Sequence, residues 1–268
     1  MIADIIKARK SVRTFDGHPL READRAKLAT FIEKIDNPFG VPVEFRLLDA
    51  KAHGLSSPVI VGAEQYVAAK AARAPGFELA CGYSFERFCL FAASLGLGTV
   101  MLAATLSRDA FEKAMELQGA EVMPVASPVG YPAVRRSVRA GLMRKAIRAD
   151  ERLPFGMLFF SGGFDRPLSP DEAGMFREAL EMARLAPSAA NKQPWRAVVA
   201  GNAVHFLESK SMKDSPLGDI QRLDVGIALA HFELTLREAG TEGKFVSREP
   251  GIALPENVRY VISYEAAP

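Results

Sequence analysis

Three segments hold residue types that can do chemistry. The first is Ala8-Arg9-Lys10-Ser11-Val12-Arg13, with three cations and a hydroxyl at the end of an N-terminal apolar run. Guanidinium forks and a serine hydroxyl supply several charge-assisted donors in fixed geometry, which suits a phosphate. A solvated basic helix end has the same composition, because the helix dipole favours cations there. The second segment is 186–196, Ala-Pro-Ser-Ala-Ala-Asn-Lys-Gln-Pro-Trp-Arg. Pro187 and Pro194 bracket short polar residues, and the chain's single tryptophan follows. Such a loop can present Ser, Asn and Gln groups to a planar polar ligand, or be an ordinary proline-stiffened connection. The third is a run of cations, Arg135, Arg136, Arg139, Arg144, Lys145, Arg148 and Arg152. It could face RNA, an anionic membrane, or a single phosphate ligand.

Composition narrows these choices. Lys plus Arg is 34 against 32 for Asp plus Glu, a net charge of +2, so global charge gives no argument for a nucleic-acid binder. His18, His53, His205 and His231 are scattered, and neither CxxC nor HExxH occurs, so no metal site is expected. GxGxxG after a strand and GxSxG are both absent, which removes the Rossmann site and the hydrolase elbow. Cys81 and Cys89 lie in an apolar segment and read as buried free thiols of a cytosolic protein. No run of about 18 apolar residues suggests a membrane span, and the N-terminus does not read as a secretory signal. The expectation is a cytoplasmic protein without membrane or nucleic-acid partners.

The elements that must position the segments follow from periodicity. Helices are expected over 1–9 and 21–35, the latter stopped by Asn37-Pro38. Strands are expected over 43–50 and from 58 to about 62, then an Ala-rich short helix and loop over 66–80. Residues 82–98 form a helix apolar almost all round and closed by glycine, hence central. A short extended piece follows it. A helix over 107–117 capped by Ser107 and a strand from 121 complete the first half. The basic run 133–152 reads as helical. Ser169, Pro170 and Glu172 form a capping-box start to the next helix, which ends at Ala186-Pro187. Residues 195–208 read as a hairpin, 219–240 as a second apolar helix ending in glycine, and 257–265 as a closing strand, with a short extended piece near 245–247.

A pattern repeats: strand pair, apolar helix, terminal glycine, Val-rich strand. The first copy uses 43–48, 58–62, 82–98 and 121–126, and the second uses 196–200, 203–208, 219–240 and 257–264. Two helices apolar all round can bury each other, between chains in a homodimer or within one chain in a fused duplicate.

Arg9-Lys10-Ser11-Val12-Arg13-Thr14-Phe15 together with 183–196 resembles the two FMN signatures of the nitroreductase family. Ordinary members carry the signatures within a few dozen residues, whereas Arg13 and Pro187 are 174 positions apart (187 − 13). That departure is similar to the fused "putative TM nitroreductase" branch, in which one chain resembles the family's homodimer. The resemblance extends over 82–99, 128–132, 152–154 and 223–240. It implies an internally duplicated α+β nitroreductase-like fold with halves 1–154 and 155–268, intimately packed. It also implies one FMN per chain, since the second half lacks the basic cluster at 160–168 and the first half lacks Pro-Ser-x-x-Asn.

By motif match, Arg9, Lys10, Ser11 and Arg13 hold the phosphate and ribityl end. Arg152 resembles the family's late phosphate-binding arginine, although Asp150 stands where a lysine is common. Pro187, Ser188, Ala189 and Asn191 line the isoalloxazine or ribityl side, with Gln193 in support. Leu97, Gly98 and Thr99 match the turn near the flavin's reactive edge. The chemistry implied is ping-pong hydride transfer from NADH or NADPH to a small aromatic, quinone or flavin acceptor, with no protein nucleophile or metal. The alternatives are a specialised FMN enzyme such as a reductive dehalogenase or flavin-fragmenting relative, a flavin-binding protein with little turnover, and a basic interaction protein acting through 135–152. Fusion favours a monomer, with a homodimer as the alternative.

Overall fold

The computed structural model describes residues 1–134, 141, 145 and 148–267, so most of the expected basic helix over 133–152 lies outside the described residues. The first half contains α1 (Ile2–Ala8), α2 (Glu22–Ile32), β1 (Glu44–Asp49), α3 (Ala50–His53), β2 (Gln65–Ala72), α4 (Phe77–Ser94), β3 (Gly98–Thr99), α5 (Arg108–Ala114) and β4 (Glu121–Gly130). The second contains α6 (Phe155–Leu158), β5 (Phe159–Ser161), α7 (Arg177–Arg184), β6 (Trp195–Ala200), β7 (Ala203–Ser209), α8 (Ile220–Glu238), β8 (Gly243–Val246) and β9 (Val258–Ala266). The fold is α+β with two sheets, ordered β1-β2-β4-β3 and β5-β6-β7-β9-β8. All pairings are antiparallel except β5 with β6.

The repeat is visible in the topology. In the first sheet β2 pairs with β1 and with β4, the strand that follows the long helix α4. In the second, β7 pairs with β6 and with β9, which follows the long helix α8. The first sheet packs on α4, the second on α8, and the two helices pack on each other. Leu79, Gly82, Phe88, Leu90 and Gly96 match Leu223, Gly226, Phe232, Leu234 and Gly240 at a constant offset of 144 (226 − 82).

The helix crossing is reciprocal. A Cβ built on Gly82 would fall 2.0 Å from the Leu223 carbonyl oxygen, and one on Gly226 would fall 2.4 Å from the Leu79 carbonyl oxygen. Each glycine thus meets the residue equivalent to the one three places before itself, which is the signature of a pseudo-twofold axis. Around the crossing, Phe85, Phe88, Leu229 and Phe232 are fully buried.

Two expectations need correction. Residues 58–62 form no sheet strand; the second strand is β2, where the Ala-rich composition suggested a helix. Val67, Ala69 and Ala71 belong to the cluster under α4, while Tyr66 and Ala68 belong to the cluster with Phe111 and Met115. Both faces are buried by small or apolar side chains, so the period of two is invisible in sequence and sheet context overrides helix propensity. The Ser169–Glu172 capping box does form, with Ser169 N and Oγ donating to the same carboxylate oxygen at 3.1 and 2.7 Å. It closes a turn rather than starting the α-helix, because Gly174 takes a φ of +53° and α7 begins only at Arg177.

Because the clashing atoms at the crossing are backbone, Gly82→Ala and Gly226→Ala should each cost roughly 1–3 kcal/mol of stability, with the double variant losing less than the sum. Urea unfolding checks this; wild-type midpoints in both single variants would contradict the close approach.

Candidate active site

Helix α1 buries Ala3 and Ile6 against Leu90 of α4 and Met182 of α7. Leu90 stands one helical turn after Glu86, so docking α1 there delivers Arg9, at its C-terminal end, to Glu86. The Arg9 Nε lies 3.3 Å from Glu86 Oε1, with the Arg9 side chain 8% exposed and that of Glu86 fully buried. Beyond Arg9 the backbone is extended and held from two sides. Val12 N–H donates to the Thr99 carbonyl at 2.9 Å, and Val61 N–H donates to the Arg13 carbonyl at 3.0 Å. Segment 58–62, expected as a strand, therefore pins the basic turn. Gly98 makes room for it, since a Cβ there would lie 2.7 Å from Val12 Cβ.

The proline-bracketed loop comes from the other half. Ala190, Asn191 and Gln193 adopt φ of +48°, +55° and +48°, a left-handed conformation costly for residues with a Cβ. Hydrogen bonds hold it. The Ala189 N–H donates to Asp224 Oδ2 of α8 at 3.0 Å, and the Gln193 N–H donates to Ser188 Oγ at 2.8 Å. Asn191 Nδ2 donates to the Arg148 and Glu151 carbonyls at 2.7 and 3.0 Å, and the Leu153 N–H donates to Gln193 Oε1 at 2.9 Å. The loop thus carries segment 148–153 with it. The Arg152 guanidinium in turn donates to the Leu185 carbonyl at 3.1 Å.

The two segments meet in one cavity of about 200 Å³. Of the residues expected at the site, Arg9, Lys10, Ser11, Arg13, Thr99, Arg152, Pro187, Ser188, Ala189 and Asn191 line it. Leu97, Gly98 and Gln193 are not among its lining: Leu97 sits in the core, Gly98 backs onto Val12, and Gln193 is buried behind the loop. Met101, Val125, Leu223 and Ile227 supply apolar wall. Asp150 also lines the cavity, so one carboxylate joins the cations on this side.

Sequence reading missed Glu86, Cys89 and Asp224, which complete the wall. The available signal was an acidic residue inside a helix otherwise apolar all round, since buried carboxylates are rare without a partner. Glu86 Oε1 lies 2.8 Å from His231 Nε2, and His231 Nδ1 lies 2.9 Å from the Met182 carbonyl. Glu86 Oε2 is buried without a hydrogen-bond partner among the described residues. Burial raises the Cys89 thiol pKa far out of the reactive range. Burial likewise holds the Asp224 carboxyl well above its ordinary 3.8, with the Asp219 and Glu208 charges adding to the shift and the Ala189 N–H opposing it.

The pseudo-symmetric position is built from different residues. Cys89 and Ile227 of the cavity correspond, at the 144 offset, to Glu233 and Tyr83. The Tyr83 hydroxyl donates to the Glu233 carboxylate. Phe39, from the loop preceding β1 as 187–194 precedes β6, packs edge-on against Tyr83 at 5.6 Å and against Phe245 at 5.7 Å. Aromatic rings and a buried acid thus stand where the first cavity has Cys89 and Ile227, while Gly243 and Lys244, the counterparts of Thr99 and Val100, line a separate open groove.

Asp224 sets a pH dependence. Its native pKa is raised, so the folded state holds the proton more tightly than the unfolded chain. The resulting stabilisation is complete below about 3.8 and is lost as pH rises toward the native titration. Asp224→Asn keeps an acceptor for Ala189 N–H and removes the titration. Its stabilising effect in thermal melts should therefore grow between about pH 4.5 and 7.5. An effect equal at both pH values would contradict the raised native pKa of Asp224.

Comparisons with known proteins agree with this architecture. The family described as "Putative TM nitroreductase" matches residues 1–236. A crystal structure of a nitroreductase from Thermotoga maritima, itself titled as putative, is similar over 99% of this chain and 92% of that one, at 21% identity and a TM-score of 0.65. Shorter proteins match about half of the chain. One is described as a "Putative NADH dehydrogenase/NAD(P)H nitroreductase" from Bacteroides thetaiotaomicron, at 22% identity and a TM-score of 0.43, over 51% of this chain and 89% of that one. Another is an FMN-dependent nitroreductase from Clostridium difficile, at 14% identity and a TM-score of 0.43, over 51% of this chain and 90% of that one. The comparison with curated proteins gives no match. With the family match spanning most of its length and the duplicated fold in place, the chain belongs to the TM nitroreductase family.

Proposed function

We propose that the protein is an FMN-dependent NAD(P)H oxidoreductase of nitroreductase type, acting on a small aromatic, quinone or flavin acceptor. The observation that carries the reading is the convergence of the Arg9–Arg13 turn and the 187–191 loop, far apart in sequence, on one cavity. The residues fit the cofactor. Cations and a hydroxyl from 9–13, with Arg152, suit a phosphate monoester, and apolar wall from Met101, Val125, Leu223 and Ile227 suits an aromatic ring system.

Bound FMN would supply the redox chemistry, taking hydride from NAD(P)H and passing reducing equivalents to the acceptor. The chain's part is binding and electrostatics. Arg9, Lys10, Ser11 and Arg13 hold the anion. The Ala189–Asn191 backbone, fixed in a left-handed turn by Asp224 and Ser188, forms the opposing edge. Thr99 and Met101 close the wall beneath it. The Tyr83–Glu233 pair and Phe39 at the pseudo-symmetric position, where the cavity has Cys89 and Ile227, support one cofactor per chain. Its internal helix pair supports a monomer, since the interface that an unfused relative forms between subunits is already buried.

Arg13→Ala should weaken FMN binding by about 2–4 kcal/mol, because a phosphate would lose a charged partner in a partly buried site. Asn191→Ala should weaken it as well, by releasing segment 148–151 from the loop. Fluorescence titration measures both, and unchanged affinity would contradict the phosphate assignment and the cross-half arrangement respectively. The purified protein should be yellow with near-equimolar FMN and should bleach rapidly with NADH or NADPH in the absence of oxygen. Binding without bleaching would indicate a flavin-binding protein with little turnover.

A further inference from the structure

The buried group behind Arg9 is the part of the cavity that anion recognition by exposed cations does not explain. His231 is fully buried and so is Glu86. The Met182 carbonyl can only accept a hydrogen bond, so the His231 Nδ1 that lies 2.9 Å from it carries a proton. His231 Nε2 and Glu86 Oε1, 2.8 Å apart, must then have a second proton between them, borne either by the imidazole or by the carboxyl. In the first case the group is Arg9⁺, Glu86⁻ and His231⁺; in the second it is Arg9⁺ with two neutral partners. Both distributions leave a net charge of +1.

The neighbours of this group do not alter that sum. α1 brings Arg9, and α4 brings Glu86 and the Cys89 thiol, which burial keeps protonated. α8 brings His231 and, two turns earlier, Asp224, whose carboxyl pKa burial holds well above its ordinary 3.8. α7 presents the Met182 carbonyl. Without the shared proton, Glu86 would be a bare carboxylate 3.3 Å from Arg9 Nε, cancelling the arginine's charge where water is scarce.

We propose that Glu86 and His231 are positioning residues for Arg9, a pair that shares one proton and so keeps the Arg9 guanidinium both fixed at the cavity wall and electrically available to an anionic ligand. The pair does not touch the anion itself; it acts through Arg9. The inference rests on the reading of the cavity as an FMN site and adds the device that makes one of its cations effective. The pseudo-symmetric counterparts of Glu86 and His231 are Ala230 and Arg87, so the device belongs to the open cavity alone.

The test compares FMN with riboflavin, which lacks the phosphate, by fluorescence titration of the full-length protein. Substitution of His231 by Leu removes the partner with which Glu86 shares the second proton and leaves the carboxylate to neutralise Arg9. FMN affinity should fall about 10- to 100-fold while riboflavin affinity stays within about 3-fold. Adding Glu86→Gln removes the carboxylate and returns the group to +1. The double variant H231L/E86Q should recover FMN affinity to within about 3-fold of the unsubstituted protein. A purely structural pair would give no such recovery and would affect both flavins alike.

Should H231L fail to fold, nitrogen-15 NMR of histidine-labelled protein reads the same claim. His231 Nδ1 should be protonated at neutral pH, and an unprotonated Nδ1 overturns the proposal. Failure of the unsubstituted protein to bind FMN overturns the cofactor reading and this inference with it. FMN binding with equal losses in the single and double variants, or with riboflavin weakened as much as FMN, overturns this inference alone.

Discussion

The contact on which the rest depends is the crossing of α4 and α8, where the backbone of each helix lies against a glycine of the other. At Gly82 and Gly226 no side chain separates the helices, so carbonyl oxygens of Leu223 and Leu79 sit where a methyl group would be. Such an approach leaves no room for a side chain between the helices, and large apolar residues around it supply the burial. Both sheets are laid on this pair. The cavity opens beside it, walled by Glu86 and Cys89 of one helix and by Leu223, Asp224 and Ile227 of the other.

Placing two halves around a pseudo-twofold axis creates two equivalent positions, and the chain treats them differently. One keeps the extended basic turn from the first half and the strained loop from the second. The other receives Phe39, Tyr83 and Phe245, together with the Tyr83–Glu233 hydrogen bond. A single chain can diverge in this way because each half is free to change without altering its partner. A symmetric homodimer cannot fill one site and keep the other. The loop's left-handed residues and the buried acids of the open side cost stability, and the closed side is packed with aromatic contacts instead.

Much of this was legible in the sequence, and the parts that were not have physical reasons. The long helices announced themselves through apolar residues on every face and terminal glycines, and the matching positions at a 144-residue offset were faint but present. The basic turn and the proline-bracketed loop were recognisable as chemistry-bearing segments, although only their resemblance to a family joined them. Strand β2 was hidden because alanines bury both of its faces, so alternation left no trace. The Ser169 capping box was read correctly as a local motif, but Gly174 separates it from the helix it was expected to start. Gln193, Leu97 and Gly98 match the family signatures yet stand behind the wall, holding the loop and admitting Val12 rather than facing the cavity. Glu86, Asp224 and His231 were overlooked because each lies in a helix whose apolar character dominates the pattern, and only tertiary contact gives a buried charge its partner.

The central claim is that two remote segments of one chain build a single flavin site that its symmetric counterpart, which carries Tyr83 and Glu233 in place of Ile227 and Cys89, does not repeat. Calorimetric titration of flavin-free protein with FMN tests it most directly. The account predicts a stoichiometry of one FMN per 268-residue chain, with the chain monomeric in the same solution. Two FMN per chain, or one shared between two chains, would contradict it.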